Sequence, residues 1–196
     1  MPSYYRNVPG WGRIGSYYEN VVPRLPPNPT LVEIGVWQGR SAIFMAELLK
    51  ESRLEAQFYL VDSFDGGTIL ADEVSKLPLS LREALERHID AAGVREQVTS
   101  IIALPSVEAA KQFDDLSIDF AFVDADHDYE SVRADLVAWW PKIKMGGILS
   151  GHDYVSGWRG VSQAVDEQVA RHRLEFQLID DVWEIRKQPS QPIALT

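Results

Sequence analysis

The 196-residue chain carries 29 Asp and Glu against 19 Lys and Arg, a formal charge of −10, with 24% charged and 45% apolar residues. That balance suits one folded domain with a full core and excludes a disordered chain. The acidic excess argues against a nucleic-acid partner, no apolar run is long enough for a membrane span, and the absence of cysteine removes disulfides and thiolate metal sites.

In chain order, residues 1–30 form a segment rich in Tyr, Trp, Pro and Gly. It lacks a basic region followed by an apolar one, so no secretory signal is expected and the cytoplasm is the expected compartment. One short helix is expected around Ser16 to Val22, after which Pro23, Pro26, Pro27 and Pro29 impose an extended approach to the next element. Trp11, Tyr17 and Tyr18 are candidates for a lid over a ligand or for an apolar flap on a sheet face.

Leu31-Val-Glu-Ile-Gly-Val-Trp-Gln-Gly-Arg-Ser41 reads as strand, tight glycine turn and helix, the helix continuing to about Lys50. Its spacing is Glu-x-Gly-x-x-x-Gly-x-Ser, built on Glu33, Gly35, Gly39 and Ser41. It is not the Gly-x-Gly-x-x-Gly of a dinucleotide site. The glycines stand where a Cβ would block the backbone path or a ligand's approach. An acid before the turn repels a pyrophosphate but pairs with an amino group. The stretch resembles motif I of the class I methyltransferases, especially the catechol O-methyltransferase-like branch, which implies S-adenosylmethionine as the cofactor.

Ala56 to Asp62 reads as a second strand, and an acid about 20 residues beyond the glycine turn is placed to hold a ribose. Asp62 is the candidate ribose ligand, with Ser63 beside it in the cofactor site. Ser63 to Pro78 is a long connection, expected on the substrate side. Leu81 to Ala92 is an amphipathic helix closed by Gly93, with His88 on a helix face. Val98 to Leu104 is a third strand, followed by Pro105-Ser106 and a helix holding Val107, Ala109 and Ala110. In the resembling family this turn meets the adenine side of the cofactor, so Ser106 is a candidate there or a plain helix cap.

A buried strand, Phe120 to Val123, delivers Asp124, Asp126, His127 and Asp128 at its carboxyl end. Asp128 reads as the cap of a helix bearing Tyr129, Val132, Leu136 and Trp139. In the next stretch Gly146-Gly147 reads as a turn and Ile148 to Ser150 as a strand start, closed by Gly151-His152-Asp153-Tyr154. Adjacent parallel strands would set that end beside Asp124. A helix from Val161 to Arg171 and strands at Leu174 to Ile179 and Val182 to Arg186 complete the pattern, the short Asp180-Asp181 link demanding antiparallel pairing.

These two strand ends resemble the paired signatures of small class I methyltransferases, and with the first motif the resemblance covers roughly residues 31–187. It implies an α/β, Rossmann-like fold with a mostly parallel seven-stranded sheet and a C-terminal antiparallel hairpin. A flexible tail is expected over 188–196. Matching to the metal-dependent catechol-type enzymes puts Asp124 on the first metal aspartate, His152 and Asp153 on the metal pair, and His127 on the catalytic lysine. Asp124 is also counted with the cofactor site. Histidine at 152 and at 127 departs from the family pattern and changes both the ligand set and the base.

The resemblance thus implies a metal-assisted O-methyltransferase of a small hydroxylated molecule, with Mg²⁺ or Mn²⁺ and with His127 taking the hydroxyl proton. Alternatives are a metal-independent enzyme with His127 as sole base and a non-catalytic binding module for S-adenosylmethionine. A nicotinamide oxidoreductase is disfavoured by the glycine spacing. No membrane or nucleic-acid partner is expected. Trp139, Trp140 and Trp158 are candidates for a homo-oligomer interface.

Overall fold

Short runs rich in β-branched and aromatic residues form seven strands: β1 (Thr30–Ile34), β2 (Gln57–Asp62), β3 (Ser100–Ala103), β4 (Ile118–Val123), β5 (Ile143–Gly151), β6 (Glu175–Ile179) and β7 (Val182–Arg186). Among the described residues seven α-helices separate or flank them: α1 (Gly15–Val21), α2 (Arg40–Ser52), α3 (Ala71–Val74), α4 (Leu81–Ala92), α5 (Ser106–Ala110), α6 (Tyr129–Trp139) and α7 (Arg159–His172). This computed structural model describes residues 3–12, 14–66 and 71–196. The expected long connection after β2 contains α3, and its residues 67–70 lie outside those described.

One sheet holds all seven strands in the order β3-β2-β1-β4-β5-β7-β6. The pairs from β3 to β5 are parallel, whereas β7 runs antiparallel to both β5 and β6. This is the sheet expected from the sequence. Strand order reverses between β1 and β4, which opens a crevice beyond their carboxyl ends.

Side-chain alternation divides the core into two layers. Leu31, Phe58, Leu60, Phe120 and Phe122 pack with residues of α1, α2 and α4. Val32, Ile34, Val61, Ala121 and Val123 pack instead with α5, α6 and α7. Each buried Val, Leu, Ile or Phe side chain among these contributes about 1.5–3 kcal/mol. Two caps fix helix starts at useful places. Ser80 and Glu83 form a reciprocal capping box on α4, and the Asp128 carboxylate accepts the Ser131 N–H at 3.1 Å to start α6.

Of the two readings of Tyr17 and Tyr18, the structure has the apolar flap: both are buried, with Tyr18 edge-on to Phe122 at 5.1 Å, and the two rings cover a sheet face. Other expectations are corrected. Gly146-Gly147 is no turn before a strand. Strand β5 runs through it, and the register of β4 on β5 jumps from Ile118↔Ile143 to Phe120↔Ile148, a bulge with Gly146 at φ +82°.

The tail is docked. Lys187 is fully buried and donates to the Trp140 carbonyl at 2.8 Å, the Trp140 indole donates to the Pro192 carbonyl at 2.8 Å, and Leu195 is buried. Trp139 and Trp140 are core residues, which removes them as interface candidates; Trp158 remains partly exposed. Among the described residues no helix is long and apolar enough to cross a membrane.

Candidate functional site

The site begins where β1 ends. Glu33 is 1% exposed, with Oε1 accepting the Ser41 hydroxyl at 2.5 Å and Oε2 accepting the Tyr18 hydroxyl at 3.1 Å. Burial raises its carboxyl to about 8, against the pull of those two hydroxyls. Both carboxylate oxygens of Glu33 thus face protein hydroxyls, one from α2 and one from α1. The partly exposed carboxylate at the same strand ends is Asp124.

The glycine turn is shaped by close packing. A Cβ on Gly35, which sits at φ +82°, would lie 2.1 Å from the Asp124 carbonyl oxygen. Only glycine lets the β1 turn lie against the end of β4. Gly39, at φ +94°, would collide with Leu85 of α4, so its constraint is helix packing more than ligand approach.

At the end of β2, Asp62 organises the same turn. Its Oδ2 accepts the N–H groups of Val36 and Trp37, both at 2.9 Å, and its Oδ1 accepts that of Phe64 at 2.7 Å. Burial raises the Asp62 carboxyl, and the three N–H groups oppose that rise. Asp62 therefore sits one hydrogen bond from the turn that leads into α2.

Asp124 follows β4, and its N–H bonds the Ile34 carbonyl at 2.8 Å, tying it to β1. Loss of solvent raises its carboxyl to about 6, with His152 pulling it down and Asp153 pushing it up. His152 and Asp153 follow β5, with Asp153 held in the left-handed region at φ +60°. His152 Nδ1 lies 3.8 Å from Asp124 Oδ1 and 3.2 Å from Asp153 Oδ2. One ligand atom from each of Asp124, His152 and Asp153 falls within 4.8 Å of the others. Bonds of roughly 2.0–2.2 Å to a shared ion would need donor atoms no more than about 4.4 Å apart, so small side-chain adjustments would let these three residues hold one.

His127 adds a second imidazole. Its Nε2 lies 2.7 Å from Asp153 Oδ2, its Nδ1 is buried without a hydrogen bond among the described residues, and its ring stacks on Trp158 at 4.5 Å. Burial opposes its protonation, but the hydrogen bond and charge of Asp153, with Asp124 and Asp126 behind, raise its pKa overall. Burial likewise opposes protonation of His152, yet Asp153, Asp124 and Asp181 raise it to about 9. The Asp153 carboxyl is held well below the usual carboxylate range by the two histidines, which outweigh its burial.

Two candidates stand apart from this group. The Ser63 hydroxyl donates to Asp65 on an exposed loop at 2.6 Å. The Ser106 hydroxyl donates to Asp135 and accepts the Trp139 indole N–H at 2.8 Å, so it joins α5 to α6. Pro105, not Ser106, occupies the cap position of α5.

Other residues at the site were missed as such from the sequence. Trp37 lies in the glycine turn at φ +51° with the Trp11 ring tilted against it at 5.6 Å. Trp158, read only as an interface candidate, forms one wall of His127. Asp181, read only as a hairpin link, has Oδ2 3.1 Å from His152 Nε2. Its signal was the pairing of β7 with β5: Gly151 opposes Trp183, which carries residue 181 alongside residue 153. A recess of about 310 Å³ between the N-terminal segment and α2, bordered by Trp11, Gly12, Ser16, Arg40 and Ser41, adjoins the Glu33 side.

Residues 32–154 match a family model described as a methyltransferase domain. Among solved structures, the O-methyltransferase NovP is 25% identical, aligned over 89% of this chain and 78% of its own, with a TM-score of 0.65. An O-methyltransferase from Bacillus cereus in complex with SAH is 15% identical over 93% and 86%, with a TM-score of 0.66. The calicheamicin enzyme CalS11, a TDP-rhamnose 3'-O-methyltransferase, is 19% identical over 88% and 76%, with a TM-score of 0.59. The latter two likenesses speak to the fold. No curated sequence matches significantly.

Proposed function

Because the chain belongs to the methyltransferase-domain family and is a class I S-adenosylmethionine-dependent methyltransferase, we propose that it methylates a hydroxyl of a small molecule with help from a divalent cation. The observation that carries the metal half is the convergence of Asp124, His152 and Asp153 from two adjacent strand ends. A donor set of two carboxylate oxygens and one imidazole nitrogen fits Mg²⁺ or Mn²⁺, the histidine also admitting softer ions.

S-adenosylmethionine supplies the methyl group as an electrophile. On this reading Asp62 and the turn it braces hold the ribose side, and Ser41 and Asp124 meet the methionine end. Glu33 fixes the Ser41 hydroxyl from behind. Held by Asp124, His152 and Asp153, a cation would supply acidity to an acceptor hydroxyl near neutral pH. With its Nε2–H given to Asp153, His127 would take up that hydroxyl's proton at Nδ1, the ring nitrogen left without a hydrogen bond among the described residues, and Trp158 stacks on its ring. The protein's main contribution is to hold acceptor oxygen and methyl carbon in line.

A metal-free version has one observation in its favour. With a pKa of about 9, the imidazolium of His152 offsets the surrounding carboxylates at neutral pH without any added ion. Chelation separates the versions. Methyl transfer to phenolic and sugar hydroxyl acceptors, measured before and after exhaustive treatment with EDTA and after Mn²⁺ is restored, should fall and recover. Full activity after chelation excludes the metal, and transfer only to nitrogen acceptors excludes the hydroxyl.

A further inference from the structure

His152 reaches the cluster through one nitrogen only. Its Nδ1 side faces Asp124 and Asp153, at 3.8 and 3.2 Å, and its Nε2 is buried on the opposite side. There Nε2 makes no well-directed hydrogen bond among the described residues, but Asp181 Oδ2 lies 3.1 Å away, off the ring N–H axis. Backbone closes the remaining approach. A Cβ on Gly12 would come within 2.9 Å of Cε1 and 3.1 Å of Nε2, and His152 is only 7% exposed. Solvent therefore has little room to replace the Asp181 carboxylate as partner of this nitrogen.

Asp181 is itself held in place. It occupies a two-residue turn between β6 and β7, with Asp180 in the left-handed region at φ +56°. Its carbonyl accepts the Tyr154 N–H at 3.0 Å, and the Gly151↔Trp183 pairing fixes the turn against the end of β5. The hairpin thus carries a carboxylate to the far side of an imidazole whose near side faces the ligand cluster.

We propose that Asp181 is a positioning residue: it accepts the Nε2–H of His152, so fixing the ring and the tautomer that turns the Nδ1 lone pair toward Asp124 and Asp153. This role rests on the metal reading above. A ring nitrogen can bind an ion only if its proton sits on the other nitrogen, and an outer carboxylate both selects that tautomer and stops ring rotation. A rotation of a few tens of degrees about the side-chain bonds would straighten the present contact into a hydrogen bond.

The test uses the full chain and Mn²⁺ as the probe, with bound and free ion separated by electron paramagnetic resonance. Asp181→Ala is expected to weaken Mn²⁺ binding about 10–100-fold, with an unchanged circular dichroism spectrum. Asp181→Asn keeps an acceptor oxygen at the same reach, so its affinity is expected within a few fold of wild type. Should the alanine variant fail to fold, Asp181→Ser, whose hydroxyl is too short to reach Nε2, replaces it with the same expected loss. Wild-type Mn²⁺ affinity in a folded Asp181→Ala or Asp181→Ser protein would overturn the role of Asp181 and leave the metal reading standing. Equal losses in the asparagine and alanine variants would overturn it too, because charge and not orientation would then be responsible. No Mn²⁺ binding by the wild-type protein would overturn both readings together.

Discussion

Replacing Glu33 by glutamine probes what the buried acid does to folding. Glu33 is 1% exposed, and burial raises its carboxyl from an ordinary 4.5 to about 8. Below the lower value both folded and unfolded chains are protonated, and the group leaves stability unaffected. As pH rises the unfolded chain ionises first, so stability falls steadily until the folded carboxyl also ionises near the upper value, after which the loss is constant. At about 1.36 kcal/mol per pH unit, the loss at pH 7 is about 3 kcal/mol. Glutamine keeps the volume and carries no charge, but its amide nitrogen cannot accept a hydroxyl, a change worth about 1 kcal/mol. Glu33→Gln should therefore be about 2 kcal/mol more stable at pH 7, or about 4–8 °C in Tm for a chain of this size. At pH 5 it should show no advantage. Thermal melts of both proteins from pH 5 to 8.5 measure the difference, and calorimetry should show weaker binding of S-adenosylhomocysteine to the variant. A Tm difference that does not change with pH, or a variant less stable than wild type at pH 8.5, would refute the reasoning.

Other substitutions have equally definite outcomes. Gly35→Ala puts a methyl 2.1 Å from the Asp124 carbonyl at a left-handed backbone position, and denaturant unfolding should show a loss of about 3 kcal/mol or more. Asp62→Ala leaves the N–H groups of Val36, Trp37 and Phe64 without their acceptor. It should destabilise by about 2–4 kcal/mol and weaken S-adenosylhomocysteine binding at least tenfold in titration calorimetry, with Asp62→Asn intermediate. Arg24→Ala removes the bidentate partner of Glu184, which is 1% exposed. A loss of about 3 kcal/mol is expected in denaturant melts, and Glu184→Gln in the same background should recover part of it.

The strand ends were legible because the sequence states them locally. An apolar run that stops in an acid and a glycine turn fixes both the element and its exit, and Glu33, Asp62 and Asp124 indeed share one edge of the sheet. What was hidden depends on partners remote in sequence. Ser106 looks like a turn residue until Asp135 and Trp139 of α6 are seen to take its hydroxyl. Gly146-Gly147 carries a turn's composition, and only the pairing register with β4 turns it into a bulge within β5. The last residues read as loose because they are polar and proline-bearing, yet Lys187, a residue type that is normally exposed, is buried there with its ammonium on two carbonyls. Asp181 belongs to the same class, since its neighbour His152 comes from the end of β5, outside the β6–β7 hairpin.

The N-terminal segment shows why such long-range partners matter for the chemistry. Its inner part is fixed by groups that also serve the sheet's functional edge. Tyr18 donates to Glu33, while Tyr17 donates to Glu184 at 2.7 Å beside the Arg24 ion pair. Its outer part rests more lightly, with the Gly10 carbonyl on Arg40 at 3.1 Å, Trp11 against Trp37, and Gly12 on the His152 ring. Displacing the inner part would take a hydroxyl donor from each of two buried carboxylates, whereas among the described residues the outer part is held by one hydrogen bond and one exposed aromatic contact. The recess beside Ser41 is bordered on this side by Trp11 and Gly12 of the outer part. Gly12 thus borders both that recess and the His152 ring, so one short stretch of chain touches the Ser41 side and the carboxylate–histidine cluster alike.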